Sequence, residues 1–450
     1  ENINSYSLVQ HWNNPINTMV KLISSCSSED LSSWQLGNSH VDHLISEAIN
    51  CSVPYDQLIH FIQSSASLNR LALLFTEVIV EDLSKFQSRR TSMSKVYATV
   101  HEHLYISTVS IVNYNLQVCL SEPANSSSEV TGDLFRCVNA WVSYSSMARN
   151  NSPHGKMDLS EMFEHLISLM CLHSGNENFP YSTVIVAILD DVFSNDPLLM
   201  NYDLRAKIEG IFLGVSKSGK KSEGNEWMMQ YMNFLVTNEM FEELKELSSC
   251  VFDFLQIGNL DLCNKLFTAA KTVDLPTLQQ YIKVLLQMTN FPLVPVSQEF
   301  FSSKMVDFWL DLCDAYQNLA PDSLRPDTTD LATDIFAQVI EIYLPKISLL
   351  NKQKILQDDD DLLHEFDDFR NAVLDLTESL WSVLGNSKLT GILIAGVGQP
   401  STNVDIFQVE AMSFLLNKLL SNMTLSECPQ LCESIASSGA FLENVLLLLQ

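Results

Sequence analysis

The densest concentration of reactive groups in the sequence is DDDDLLHEFDD, residues 358–368, where seven of eleven positions are acidic. The carboxylates are Asp358, Asp359, Asp360, Asp361, Glu365, Asp367 and Asp368. Groups packed this closely can chelate a cation, cap a helix, or meet a basic partner. A calcium loop needs oxygen ligands at alternating positions around a turn glycine, and the run lacks that pattern. Acids at a helix start gain from the helix dipole, so a solvated start is one reading. Docking of something basic is the other.

The remaining chemistry-bearing motifs are weaker. His101 and His103 lie two apart in HEH, without the four-residue spacing that puts two imidazoles on one face of a zinc helix. Cys428 and Cys432 are four apart, but no second Cys or His pair stands near them. AGVGQPS (395–401) has two glycines and no Lys-Ser/Thr sequel, so it reads as a loop rather than a phosphate cradle. No Ser-His-Asp or Cys-His constellation is suggested by spacing. The main basic cluster, SKSGKK with Lys217, Lys220 and Lys221, reads as a solvated loop. These residues predict a protein that is not an enzyme and carries no metal or cofactor.

The elements that must position the acidic run are helices. Phe369, Ala372, Val373, Leu376, Leu380, Val383 and Leu384 recur at three and four, which gathers them on one face. Ile406, Val409, Met412, Leu415, Leu416 and Leu419 repeat the pattern, as do Leu275, Leu278, Ile282, Leu285 and Leu286. Met305, Phe308, Trp309, Leu312 and Cys313 form a bulkier stripe. Trp34, Trp141, Trp227, Trp309 and Trp381 fall on apolar faces, as core residues do. Thr424 with Glu427 and Asp158 with Glu161 predict capping boxes. Pro276 suits a first turn, and Pro345 predicts a kink or a break. Polar joins are expected at 121–133, 148–156, 216–225 and 319–329. Helices of this length with short joins predict an all-α fold. The expected arrangement is one continuous HEAT-repeat array over residues 1–450, about ten helix pairs at ~40–47 residues each. A single bundle core would not accommodate so many helices.

Composition narrows the function. The chain has 450 residues, 26 Lys and Arg against 54 Asp and Glu, and a net charge of -28. Such a surface repels nucleic acid and anionic membrane and attracts basic partners. Only 14 Gly and 14 Pro occur, too few for the turns of an all-β chain. Ten Cys, at 26, 51, 119, 137, 171, 250, 263, 313, 428 and 432, sit mostly within apolar patterns, as reduced buried thiols do. Sequons at Asn50, Asn125, Asn151 and Asn422 are what chance gives in a Ser- and Asn-rich chain. No apolar run approaches the ~20 residues of a membrane span, and the first residues hold no signal-peptide core. The start without Met and the end in ENVLLLLQ predict a piece of a longer protein.

Four stretches taken together resemble one family. GDLFRCVNAWVSYSSM (132–147) is similar to a helix of the importin-13 and transportin-SR branch of the importin-β superfamily. LPTLQQYIKVLLQMTNFPLVPVSQEFFSSKMVDFWLDLCDAY (275–316) resembles that branch's paired helices ending in Phe-Trp. DDDDLLHEFDDFRNAVLDLTESLWSVLG (358–385) resembles its acidic loop and following helix, and VDIFQVEAMSFLLNKLLSNM (404–423) the next helix. EDLSKFQSRR (81–90) resembles an early Arg-Arg segment. Phe407 departs from the pattern, standing where the branch usually carries Trp.

The resemblance implies a HEAT superhelix without catalytic activity that shuttles between cytoplasm and nucleus through the nuclear pore. It implies protein cargo with a basic surface on the concave wall and Ran-GTP near the first repeats and again midway. It implies Phe-Gly nucleoporins on the convex side. It places this chain in the N-terminal half of such a receptor, short of the first repeat or two. By position, Asp358–Asp361, Glu365, Asp367 and Asp368 would meet Ran or cargo. The resemblance does not give the direction of transport. A HEAT scaffold for another stable complex, such as a phosphatase regulatory subunit or coat component, is the alternative expectation.

Overall fold

The structure is a computed structural model that describes residues 73, 74, 77, 80, 106–121, 128–151, 157–172, 179–214, 227–268, 275–355, 360–397 and 405–422. Outside these residues fall His101 and His103, the 216–225 join, and the Thr424–Glu427 box. So do Trp34, Asn50, Asn125, Cys26, Cys51, Cys428, Cys432, Asp358 and Asp359. The helices are α1 (Ile106–Ser121), α2 (Ser128–Asn151), α3 (Ser160–Met170), α4 (Ser182–Asn195), α5 (Tyr202–Phe212), α6 (Trp227–Thr237) and α7 (Phe241–Phe267). They continue as α8 (Leu275–Thr289), α9 (Phe301–Gln317), α10 (Thr328–Lys346), α11 (Leu349–Ile355), α12 (Asp360–Val397) and α13 (Ile406–Asn422). Among the described residues there is no strand, only the isolated bridges Thr268–Leu324 and Pro295–Glu299. The fold is all-α, as the helical period predicts.

Two compact units divide the chain, Glu1–Ala206 and Lys207–Gln450. In the first, α1 packs on α3, α2 on α4, and α3 on α4. Phe135 meets Tyr181 at 6.0 Å and Arg149 meets Asp196 at 3.4 Å, so α2 and α4 run parallel. In the second, α7 packs on α9, α9 on α12, and α8 on both α9 and α10. Each helix buries one stripe. Phe308, Trp309, Leu312 and Cys313 of α9 are wholly buried, and Trp141 and Trp227 are nearly so. Each such side chain stabilises the fold by about 1.5–3 kcal/mol when fully buried.

The apolar stripes are buried along most of their length, with Ile282, Leu286, Ala372, Trp381 and Val383 only half-buried and one end exposed. Val409, Met412, Leu415 and Leu416 are buried on α13, but Ile406 is 47% exposed. It is the first residue of that helix, before the stripe has a neighbour to meet. Two joins are shorter than expected, because α2 starts at Ser128 and runs to Asn151. Thr131 to Asp133 are polar but helical; the stripe of Leu134, Phe135, Cys137 and Val138 extends the helix back through them. Pro276 lies in the first turn of α8. Pro345 is tolerated in the last turn of α10, which ends one residue later.

The Asp158–Glu161 box does not form. Asp158 Oδ1 accepts from the N–H of Ser160, 3.0 Å away, and the Ser160 hydroxyl together with that N–H holds its carboxyl below the ordinary value. Glu161 turns to Asn113 of α1 and accepts from its Nδ2 at 2.8 Å. An interhelical bond has displaced the local one. The described cysteines, Cys119, Cys137, Cys171, Cys250, Cys263 and Cys313, are free thiols, and burial pushes Cys313 up to about 11.

Candidate functional site

The acidic run is helix from Asp360 onward, and its carboxylates part company. Asp361, Glu365 and Asp368 are exposed at positions i, i+4 and i+7 of α12, which is one helix face. Phe366 and Phe369 beside them are buried and hold that face outward. Asp367 points aside. Both of its oxygens lie 2.6 Å from Lys352 Nζ on α11, so it is engaged within the chain. The outward acidic face is thus narrower at this end than the run itself.

It is also longer. Asp375 continues the exposed row along α12, and Glu378 is exposed less than a turn further on, about 60° round the helix from it. On α9, Asp307, Asp311 and Asp314 form a second exposed row, again at i, i+4 and i+7. The two helices are parallel and in step. Cys313 Sγ donates to Ser379 O at 3.8 Å, and Gln317 Nε2 donates to Ser382 Oγ at 2.8 Å. That register sets Asp311 and Asp314 level with Asp375 and Glu378, one helix spacing of about 8–10 Å away. α7 runs parallel as well: Lys245 lies over the Phe300 ring at 4.5 Å and Lys304 over Phe252 at 5.5 Å. Its exposed first turns carry Glu242 and Glu246. The outward positions of α6 and α8, by contrast, are Met229, Asn233, Gln279, Lys283 and Gln287.

Burial, and after it neighbouring like charge, shifts two carboxyls on these rows. Asp307 is pushed above the ordinary carboxylate value by partial burial and then by the charge of Asp311, against the pull of Lys304. Glu246 is pushed the same way by burial, Glu243 and Glu242. Removing one like charge at i,i+4 should relieve about 0.2–0.5 kcal/mol. Asp311→Asn is therefore expected to raise stability slightly in urea titrations at neutral pH and low salt. Asp307 has a folded value above its unfolded one, so its cost is present at high pH and fades as pH falls toward about 3.9. The gain from Asp311→Asn should fade with it.

Sequence reasoning found the run and missed the rows. Asp307, Asp311, Asp314, Asp375 and Glu378 lie opposite the apolar stripes of α9 and α12, at the same helical spacing. The signal was present in the same period. Among the described residues, no group of three His, Cys, Asp or Glu is placed to hold a metal ion. Among them, too, no helix is long and apolar enough to cross a membrane.

Residues 313–450 match the family model of the importin beta-like KAP122 middle domain. The matched part holds α10 to α13, and with them the whole acidic row of α12. The match covers 138 of the 450 residues; for that stretch it supports likeness to the importin-β superfamily of karyopherins, and it does not support the importin-13 and transportin-SR branch. No curated protein matches the chain.

Within the matched segment, α12 is fastened from behind. Arg370 Nη2 lies 2.5 Å from Glu410 Oε1, and its guanidinium stands 4.3 Å from the Phe414 ring centre, both on α13. Phe407 is half-buried in the first turn of α13. At Gly385, φ is 70°, and the helical path is interrupted there. The acidic row therefore lies wholly on the straight part before the break.

Proposed function

We propose that this chain belongs to a nuclear transport receptor of the importin-13 and transportin-SR type, which carries basic protein cargo through the nuclear pore under Ran-GTP control. The observation that carries the reading is the coincidence of two features: the importin beta-like match includes α12, and α12 holds the longer of two parallel acidic rows. Karyopherins of this superfamily transport proteins and are not enzymes. The docking residues proposed are Asp361, Glu365, Asp368, Asp375 and Glu378 of α12 with Asp307, Asp311 and Asp314 of α9. Asp358, Asp359 and Asp360 remain proposed contacts by position in the run. Ran and cargo both fit, because each would offer cations to a face that steers them electrostatically.

Phe-Gly nucleoporins would use the other helix layer. A cavity of about 640 Å³ opens there between α6, α8 and α10, walled by Met229, Met232, Val236, Ile282, Leu286 and Ile342. Apolar walls with a few polar groups at the rim suit an aromatic side chain. A protein with these partners would shuttle between cytoplasm and nucleus.

The test is binding of the full-length protein to Ran in its GTP and GDP forms at low and high salt. The comparison variant carries Asp→Asn at 358–361. The expected result is GTP-selective, salt-sensitive binding that weakens in the variant. Selective binding untouched by the variant would return the run to a solvated helix start and leave the receptor. Binding of neither form, with one stoichiometric partner of another kind co-purifying, would replace the receptor with a HEAT scaffold.

A further inference from the structure

A buried polar network ties the α8/α9 helix pair to α10. Trp309 Nε1 donates to Thr289 Oγ1 at 2.8 Å, and Ser302 Oγ donates to Thr289 O at 2.9 Å. Tyr343 OH of α10 donates to Ser302 O at 2.8 Å. Beside it, Lys346 Nζ donates to Glu299 Oε1 at 3.2 Å, to Leu293 O at 3.3 Å, and to Phe291 O. The other Glu299 oxygen accepts from the N–H of Ser302 at 2.9 Å. One ammonium in the last turn of α10 thus gathers three acceptors from the loop between α8 and α9. Glu299 is fully buried and Lys346 is 6% exposed.

Such a pair is a poor way to gain stability. Desolvating two charges costs about as much as their attraction returns, and apolar replacements are often neutral or better. What hydrogen bonds add is direction, because they fix angle as well as distance. The loop carries a second sign of over-determination. Val296, buried and β-branched, is held at φ 72°. Non-glycine residues persist there only when the surroundings leave no alternative. Stacked repeats otherwise rotate by small amounts against each other.

We infer that Lys346 and Glu299, with Tyr343, Ser302 and Thr289, form a stiff joint that fixes the angle between the α8/α9 pair and the α10/α12 pair. The joint holds the acidic rows of α9 and α12 in step. Lys346 and Glu299 are positioning residues for the docking face. That consequence rests on the proposed function, whereas the stiffness does not.

The experiment measures distances by electron spin resonance in the full chain. Nitroxides are attached through a keto-bearing non-natural residue placed at Asn318 of the α9 end and Asn371 of α12, which avoids the ten cysteines. Three forms are compared: the parent, Glu299→Leu/Lys346→Met, and Tyr343→Phe. The double variant is expected to melt higher than Lys346→Met alone, because it leaves no unpaired buried charge, yet to show a distance distribution roughly twofold broader than the parent. Its association with a Lys-rich peptide should slow about threefold at low salt. Tyr343→Phe, which removes one hydroxyl, should broaden the distribution less. An unchanged width in the double variant overturns the joint. Should the double variant not fold, an unchanged width in Tyr343→Phe overturns it. A broadened width with no peptide binding by any form, the parent included, upholds the joint and removes the docking face.

Discussion

Lys346→Met alone is expected to destabilise the second unit by about 3–5 kcal/mol, because it strands a buried carboxylate. In a unit spanning Lys207–Gln450, that should lower the melting temperature by roughly 10 °C. The three acceptors that share the ammonium, Glu299 Oε1 and the carbonyls of Phe291 and Leu293, lose their donor together. Burial already raises the Glu299 carboxyl above its ordinary value, with Lys346 and Ser302 pulling the other way. Without Lys346 the burial is less opposed. The folded state then holds a proton more tightly than the unfolded state. The penalty is full above the folded value, and it fades as pH falls toward the unfolded value of about 4.3. Urea titrations of the variant should therefore show stability recovering as pH falls toward that unfolded value. A loss below about 1 kcal/mol, with no recovery in acid, would show that Glu299 finds water or another donor.

The same cluster marks where reading the sequence stops. The stripes of α8, α9 and α12 follow from apolar spacing, because a helix forced to bury one face has one solution at period 3.6. Trp309 could be assigned to a core on that ground alone. That its indole N–H would find Thr289 could not, since the pairing depends on how two helices meet. Nothing in the spacing singles out Lys346, and only the fold of the 291–299 loop makes it a buried donor. Asp367 shows the limit at closer range. Within a dense run it looks like its neighbours, yet a hundred-degree step around the helix carries it to Lys352 and away from the outward row. Charge density was legible in the sequence. Which charges share a face across two helices needed the register set by Gln317 and Ser382.

Neutralising the rows across that register is expected to change association far more than stability. The variant Asp311→Asn/Asp314→Asn/Asp375→Asn/Glu378→Gln removes four charges from the level where α9 and α12 run side by side. Exposed carboxylates contribute little to folding, and these repel one another, so the melting temperature should hold or rise. Their summed field acts at a distance. Steering by a patch of one sign raises association rates by roughly 10–1000-fold at low salt, and the effect collapses as the Debye length shrinks to about 8 Å at physiological ionic strength. Stopped-flow mixing with a basic partner, such as Ran-GTP, should show an association rate lower by about tenfold at low salt. The slope of that rate against salt should flatten, with dissociation changed much less. A charge-conserving control, Asp311→Glu/Asp314→Glu, should keep both rate and slope. If the quadruple variant instead lost affinity through faster dissociation with an unchanged salt slope, the rows would be making close directional contacts and not supplying a field. Equal association rates for parent and variant would place the docking face elsewhere on the chain.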